Sequence, residues 1–309
     1  MKSNFLCCAL VLLFFVFPQF NYAFQMMHNG SKKTSAINLT KGNFQKIYSS
    51  PLPEEINFCG ESVPLNQPDV RERLDRELLV NTYWQSNMML LIKRANKYFP
   101  VLEKILVEEK IPEDFKYLVA IESGFLNVIS SKGAKGFWQL MRGTAREYGL
   151  EVNSNVDERY HLEKATRVAC RYLQKAKDRF GSWTLAAAAY NRGMYGIDRE
   201  LKRQQVDTYY DLLLGSETQR YVFRILAVKL IMSQPFSYGF VLEKKDLYTT
   251  PLVRKVGVDS AITNIATFSK KMGINYKTLK LYNPWLLENH LNNKSRKYYE
   301  IAIPSEKER

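Results

Sequence analysis

Glu122 is the residue whose setting most suggests chemistry, because the spacing of apolar residues places it on the buried face of a helix. Phe115, Leu118, Val119 and Glu122 recur at helical spacing and share that face. Burial disfavours the charged form of a carboxylate and raises its pKa. A carboxylic acid that stays protonated near neutrality can donate a proton to a glycosidic oxygen. Periodicity alone leaves a plain alternative, a glutamate at a helix end that reaches water or caps a neighbour.

Short polar and aromatic motifs follow Glu122 along the chain. Ser123 comes directly after it, Gly136–Gln139 reads Gly-Phe-Trp-Gln, and Ala189–Asn191 reads Ala-Tyr-Asn, while Tyr221 lies in a late helix. In this order and at these separations, they resemble the motifs of lytic transglycosylases of the goose-lysozyme-like (SLT) superfamily. The resemblance covers roughly residues 98–240 and is closest to the branch of membrane-bound lytic murein transglycosylase D.

This resemblance implies a reaction on peptidoglycan with Glu122 as the single catalytic acid and base. Glu122 would protonate the oxygen between N-acetylmuramic acid and N-acetylglucosamine. It would then take the proton of the C6 hydroxyl, so that a 1,6-anhydro ring closes and no water is consumed. The lack of an obvious second catalytic carboxylate fits, since hydrolytic glycosidases usually need two. A hydrolytic muramidase and a catalytically inactive peptidoglycan-binding protein are the alternatives.

The same resemblance implies five substrate-binding residues. Ser123 would hold the reacting sugar, Gln139 and Asn191 would bond its amide and hydroxyl groups, and Tyr190 and Tyr221 would line the groove. Structural roles compete with these. Gln139 could satisfy a loop backbone, Tyr190 could be a core residue with a hydrogen-bonded tip, and Asn191 could end a helix.

The loop departs from the family in its middle, where Phe137-Trp138 replaces the frequent Leu-Met pair. Larger aromatic rings are expected either to narrow the groove or to stack on a sugar face. The departure bears on preference for glycan length and not on the chemistry.

The apolar pattern predicts a mainly α protein. A lysozyme-like helical catalytic domain is expected at residues 69–240, with its core at 98–240. Residues 251–305 show a strand-helix-helix-strand pattern, with helices at Ile262–Met272 and Tyr276–Tyr282 between strands at Leu252–Val256 and Tyr298–Ile303.

The C-terminal pattern resembles a diverged LysM module, a class that binds N-acetylglucosamine polymers. Ile265–Met272, the segment from Leu279 to Pro284 and Tyr299–Pro304 carry the likeness. The strand-opening Gly-Asp-Thr of such modules is represented by Val258-Asp259-Ser260. The alternative is a packing module without sugar affinity, and Tyr276, Tyr282 and Trp285 are compatible with either a stacking surface or a small core.

Residues 1–23 have the order of a secretory signal: Lys2, an apolar run of 13 residues at 5–17, and a small residue, Ala23. An uncleaved anchor is the alternative. Cys7 and Cys8 lie inside the run and not after it, so no lipobox is recognised. We therefore expect export to the periplasm or the outer membrane, and a flexible leader at residues 24–68.

The chain is basic, with a net charge of +14. Removing residues 1–23 removes Lys2 and no acid, so the mature charge is 44 − 31 = +13. Such a charge favours anionic surfaces, including peripheral association with membrane or cell wall, or serves solubility alone. No nucleic-acid-binding motif accompanies it, so peptidoglycan glycan strands are the expected partner and nucleic acid is not. The pattern does not indicate an oligomeric state.

No cofactor or metal is expected. His28, His161 and His290 are scattered and show no zinc-ligand spacing, and no phosphate-binding glycine loop is present. Cys59 and Cys170 could form one disulfide in an oxidising compartment, or Cys170 could be a free thiol on an apolar helix face.

Overall fold

The structure, a computed structural model, describes residues 47–249 and 252–305. The predicted signal sequence at 1–23 lies outside this part of the chain. Eight helices, α1 to α8, build the larger part of it. They are Pro68–Tyr83, Gln85–Glu108, Phe115–Ser123, Arg142–Glu147, Leu162–Phe180, Trp183–Arg192, Met194–Gln204 and Ser216–Ser233. The expected mainly α fold class is confirmed.

Helices α5 and α6 form the centre of the helical core. The apolar stripe of α5, which includes Val168 and Leu173, is fully buried. Small side chains on α6, Ala186 to Ala189, are also fully buried and let the two helices pack closely. Side chains that follow these alanines at the end of α6 are therefore held in fixed positions.

Helix α3 carries Glu122 and is short, with nine residues. Leu118 and Val119 are completely buried and fix the helix against its neighbours, which include α8. It ends at Gly124, which adopts a left-handed conformation with φ of 59°. A left-handed glycine is a common helix terminator, so Glu122 lies in the last turn.

A small hairpin precedes the helices and corrects the part of the expected leader at 24–68 that the structure describes, residues 47–68; residues 24–46 lie outside the described chain. Strands β1 (Asn57–Phe58) and β2 (Glu61–Ser62) pair antiparallel, and Phe58 is completely buried in the helical core. Glu61 accepts hydrogen bonds from the backbone N–H groups of Trp183 (2.5 Å) and Thr184 (2.9 Å) at the start of α6. This segment therefore belongs to the folded domain, because it buries an aromatic ring and caps a helix.

The C-terminal module has the predicted strand-helix-helix-strand order. Strand β3 (Val253–Val258) pairs antiparallel with β4 (Tyr299–Pro304), in a register that sets Val253 opposite Pro304. Helices α9 (Ile265–Lys271) and α10 (Tyr276–Tyr282) connect them. The module has its own small core, in which Trp285 is 4% exposed and therefore serves as a core residue.

The module is joined to the helical domain through a loop before α5. Val156 is 1% exposed, lies in the core of the module and forms a β-bridge with Leu286. The buried side chain of Asn155 donates to the carbonyl of His290 (2.9 Å) and accepts from the backbone N–H of Asn292 (2.8 Å). These contacts connect the module to the loop before α5 through both apolar packing and hydrogen bonds.

Both cysteines of the described chain are free thiols. Cys170 is buried on α5, and burial raises the pKa of its thiol to about 12. Cys59 lies in the hairpin turn, and burial raises its pKa as well. The free-thiol alternative is therefore the one the structure shows. Over the residues described, no helix combines the length and the apolar character needed to cross a bilayer.

Candidate active site

Glu122 lies beside the ring of Tyr221, which α8 brings to the end of α3. The Tyr221 side chain is 1% exposed, and its hydroxyl donates a hydrogen bond to Glu122 Oε1. Burial raises the pKa of Glu122. The Tyr221 hydrogen bond and the charge of Arg224 oppose this rise without cancelling it, whereas the charge of Glu217 adds to it. The carboxyl is thus biased toward the protonated form that a general acid requires.

Two charged residues near Glu122 do not stand out in the sequence. Arg224 donates from its guanidinium to the carbonyl of Ile121 (3.0 Å) and so holds the end of α3. Glu217 influences the pKa of Glu122 from the first turn of α8. The available signal is helical spacing, since Glu217 and Arg224 stand four residues before and three residues after Tyr221 and share its face.

Tyr190, at the end of α6, ties that helix to the Gly-x-x-Gln loop. Its hydroxyl donates to the carbonyl of Trp138 (2.7 Å). Burial, and next the charge of Glu122, raise the pKa of Tyr190 well above its usual value. The ring therefore lies within electrostatic reach of Glu122, while its hydroxyl is engaged with the loop. This contact corresponds to the alternative of a core residue with a hydrogen-bonded tip.

Gln139 closes its own loop. Its Nε2 donates to the carbonyls of Gly136 (2.7 Å) and Val128 (3.1 Å), and its backbone has a φ of 47°. Gly136 is also left-handed, and a Cβ there would overlap the carbonyl oxygen of Arg159. In this structure, Gln139 thus satisfies backbone groups of its own loop, which is the structural role that the sequence analysis gives as the alternative to substrate binding.

A buried ion pair supports the same loop from behind. Arg159 is 4% exposed and contacts Asp157 through two hydrogen bonds of 2.9 and 2.8 Å. The Arg159 Nη1 also donates to the carbonyls of Gly133 (3.1 Å) and Leu140 (3.2 Å). The sequence shows only three consecutive charged residues, Asp157 to Arg159, in a polar segment, which normally indicates a solvated loop.

The expectation that Phe137 and Trp138 would narrow the groove or stack on a sugar is wrong. Phe137 is 5% exposed, and Trp138 is completely buried with its Nε1 donating to Thr166 Oγ1 (2.8 Å). The two rings fill the core beneath the loop, at positions where the family frequently has leucine and methionine. Packing of these two rings in the apolar core explains why aromatic residues can replace leucine and methionine at these positions.

Ser123 and Asn191 lie near the same end of α3 but point to different partners. Ser123 is buried, and its hydroxyl donates to the carbonyl of Val119 (3.2 Å), which is a bond within the helix. The Asn191 side chain donates to Glu217 (3.3 Å) and accepts from the Thr218 hydroxyl (2.7 Å). Asn191 thus joins α6 to the start of α8.

Together, these contacts place one partly exposed carboxyl group at the meeting point of three helices. Tyr221 and Tyr190 border it, and the loop that ends at Gln139 is held next to them. Glu217 is the neighbouring acid that influences it most, and that carboxylate is engaged with Asn191. The Glu122 carboxyl group can donate a proton to a bound substrate and can later accept a proton back.

Comparisons with known proteins give two family matches along the chain. Residues 102–212 match the family described as the transglycosylase SLT domain, and residues 254–307 match the soluble lytic transglycosylase C-terminal LysM-like domain. Membrane-bound lytic murein transglycosylase D of Escherichia coli K12 is 27% identical over 235 residues, which cover 73% of this chain and 50% of that protein. The chain thus spans about half the length of this relative.

Two solved structures are similar to this chain at lower sequence identity. The 70 kDa soluble lytic transglycosylase of Escherichia coli is 18% identical, with a TM-score of 0.40, over 57% of this chain and 33% of that one. An inactive mutant of lytic transglycosylase Slt from Pseudomonas aeruginosa is 23% identical, with a TM-score of 0.37, over 50% and 26%. The chain is thus similar to SLT transglycosylase domains over residues 102–212, to soluble lytic transglycosylase C-terminal LysM-like domains over residues 254–307, and to membrane-bound lytic murein transglycosylase D.

Proposed function

We propose that the protein is a lytic transglycosylase that cleaves the β-1,4 bond between N-acetylmuramic acid and N-acetylglucosamine in peptidoglycan. The observation that carries the proposal is Glu122, a partly exposed carboxyl with a raised pKa and a hydrogen bond from Tyr221, inside the segment that matches the SLT domain. Its environment favours the protonated form, which is the form that starts the reaction.

In the first step, protonated Glu122 donates its proton to the bridging oxygen, and the bond from that oxygen to C1 of the muramic residue breaks. The carboxylate that remains keeps the hydrogen bond from Tyr221, which stabilises its charge. In the second step, the C6 hydroxyl of the same sugar attacks C1, and Glu122 accepts its proton. The products are a free 4-hydroxyl and a 1,6-anhydro ring, with no water consumed. An internal nucleophile gains rate from proximity.

We assign substrate contacts to the residues around this carboxyl. Tyr190 and Tyr221 would shape the sugar site, because both lie within electrostatic reach of Glu122. Gln139 and Asn191 would contribute amide groups at the edge of the sugar site. They would do so either in addition to the hydrogen bonds that they make to the loop and to α8 in this structure, or after those bonds break. Ser123 would support the end of α3 through its bond to Val119.

The test is a digest of purified peptidoglycan by wild type and by Glu122→Gln, with the muropeptides analysed by mass spectrometry. Anhydro-ended products, lighter by one water than reducing-end products, are expected from wild type and not from Glu122→Gln. Ordinary reducing ends would support a hydrolytic muramidase in place of this proposal. Sedimentation with insoluble peptidoglycan but no release by wild type would support an inactive binding protein.

We further propose that residues 1–23 direct export toward the periplasm or outer membrane, that the catalytic domain ends near residue 240, and that residues 251–305 bind glycan. The module has a cavity of about 750 Å³ bordered by Tyr276 and Tyr282. Sedimentation of full-length protein with peptidoglycan tests the last point. Tyr276→Ala is expected to weaken it, whereas equal sedimentation of both proteins would assign the module to packing.

A further inference from the structure

A short segment before α5, residues 155–159, lies between the C-terminal module and the Gly-x-x-Gln loop, and we call it the bridging segment. Its backbone bonds to the module at two points. The N–H of Asp157 donates to the carbonyl of Trp285 (3.0 Å), and the N–H of Leu287 donates to the carbonyl of Asn155 (2.9 Å). These bonds add to the side-chain hydrogen bonds of Asn155 and to the burial of the next residue, a valine, in the module core. The module thus holds this side of the segment through both backbone and side chains.

The other side of the bridging segment holds the Gly-x-x-Gln loop. The Arg159 guanidinium is paired with Asp157 at 2.9 and 2.8 Å. Its Nη1 donates to the carbonyls of Gly133 (3.1 Å) and Leu140 (3.2 Å), which flank the loop on both sides. The backbone carbonyl of Arg159 also lies against Gly136, where a Cβ would overlap it. One arginine therefore fixes the loop at its start, its end and its first glycine.

Asp157 belongs to both sets of contacts. Its N–H is bonded to the module, and its carboxylate is paired with the guanidinium that holds the loop. Asp157 is 1% exposed and Arg159 is 4% exposed, so water cannot readily replace a lost partner. Close-packed interiors transmit small displacements, and leaving a buried charge unpaired is costly. A displacement of the module would therefore be passed on to the residues that flank the loop.

The loop contributes to the sugar site and not to the acid itself. Gln139 ends the loop, and the Trp138 carbonyl accepts the hydrogen bond of Tyr190 (2.7 Å). Glu122 and Tyr221 instead lie on α3 and α8. Loss of the loop position should therefore weaken substrate binding more than it slows proton transfer.

We propose that the C-terminal module positions the Gly-x-x-Gln loop for substrate binding, with Arg159 as the positioning residue that connects the two. This inference rests on the proposed function. The module then acts on the sugar site through the bridging segment, in addition to any glycan that it binds itself. Docking of the module sets KM, whereas the proton transfer at Glu122 is independent of it.

The experiment measures kcat and KM of the full-length protein on soluble, uncrosslinked peptidoglycan strands. Arg159→Lys keeps a positive charge beside Asp157, but one ammonium cannot replace the planar fork that also reaches two loop carbonyls. KM is expected to rise about tenfold, the size expected for losing a hydrogen bond from a charged group, with kcat within about twofold of wild type. A variant that merely unfolds in part would instead lose kcat and keep its KM.

Asn155→Ala tests the module side of the connection, because it removes the two side-chain bonds to the module. Its KM is expected to rise about three- to tenfold. In the Arg159→Lys background, the same substitution should add less than about twofold, since the connection is already broken. Glu163→Gln is the matched control, because Glu163 pairs with Lys255 of the module (3.3 Å) from the first turn of α5, outside the bridging segment. Its KM should equal that of wild type.

Hydrogen exchange of the same proteins reports on the loop without relying on catalysis. The N–H of Gly136 donates to the carbonyl of Val128 (3.1 Å), and the N–H of Leu140 donates to that of Lys135 (3.1 Å). Both amides should exchange faster in Asn155→Ala than in wild type or Glu163→Gln.

An unchanged KM in Asn155→Ala, a fall in kcat alone, a full additional rise in the double variant or unchanged loop exchange would each overturn the positioning role of the module. If wild type releases no anhydro-muropeptides, the proposed function fails instead. Loop exchange in Asn155→Ala then decides whether the module holds the loop.

Discussion

Replacing Tyr221 by phenylalanine removes the hydroxyl that donates to Glu122 Oε1 and leaves the ring, which is 1% exposed, in place. This hydrogen bond favours the charged carboxylate and so lowers the pKa of Glu122 against the rise caused by burial. Its loss must therefore raise that pKa further. A hydrogen bond to a charged group is worth about 1.5–3 kcal/mol, and one pKa unit corresponds to about 1.4 kcal/mol. The expected rise is about one to two units.

The sign of the effect on activity follows from the role of Glu122. A general acid must be protonated in the free enzyme, so kcat/KM falls as pH rises through its pKa. In Tyr221→Phe, this alkaline limb is expected to move to higher pH by about one to two units. The maximal kcat is expected to fall in the same variant, because the carboxylate formed after proton transfer loses a stabilising contact.

The measurement is a pH profile of anhydro-muropeptide release by wild type and Tyr221→Phe. Tyr209→Phe is the matched control, since it removes an equally buried hydroxyl that donates to the Thr218 and Gln219 carbonyls and not to a carboxylate. An alkaline limb that stayed in place or moved to lower pH in Tyr221→Phe would refute the reasoning. So would an equal displacement in the control.

Three further predictions concern Glu122, the loop at Gly136 and the contact of Asn155 with the module. Glu122→Gln should lose at least about 100-fold in activity. Since folding raises the pKa of Glu122, the charged form costs stability as pH rises through that pKa, so this variant should melt above wild type at alkaline pH and match it below about pH 4, by calorimetry. Gly136→Ala should lower the free energy of unfolding by about 2–4 kcal/mol in denaturant titrations, because its Cβ would overlap the Arg159 carbonyl, whereas a shift below 0.5 kcal/mol would contradict this packing. Asn155→Ala should leave two backbone partners in the module unpaired, at a cost of about 1–3 kcal/mol; faster proteolysis between the domain and the module is expected, and wild-type resistance would show that the contact is dispensable.

The elements that rest on local periodicity are the ones that the sequence predicts well. The apolar spacing around Glu122 yields a helix that the structure places at Phe115–Ser123, and the predicted helix Tyr276–Tyr282 has the same bounds in the structure. The other helix and both strands of the module differ from their predicted bounds by one to three residues. Periodicity succeeds here because each element buries its own apolar face.

Contacts between distant residues are what the sequence could not provide. Nothing near Glu61 indicates that it contacts the start of a helix 122 residues later, so the sequence predicts a flexible leader where the structure has the hairpin. The Gln139 side chain has both donors and acceptors, and only the loop geometry shows that its donors are engaged by backbone carbonyls. Trp138 could be placed in the core only by knowing that Thr166 supplies a partner for its N–H.

The contact between Glu61 and the start of α6 also bears on the order in which the chain gains structure. A loop of 122 residues must close before this carboxylate can meet the N–H groups of Trp183 and Thr184. Closing such a loop costs entropy before the contact returns any stability, and non-local contacts of this kind slow folding. The Ser182 hydroxyl caps α6 locally by accepting from the Leu185 N–H (3.2 Å), so Glu61 supplies partners for two further N–H groups, those of Trp183 and Thr184, once the hairpin meets the helix. The start of the helix that carries Tyr190 and Asn191 is therefore expected to gain this part of its hydrogen bonding late in folding.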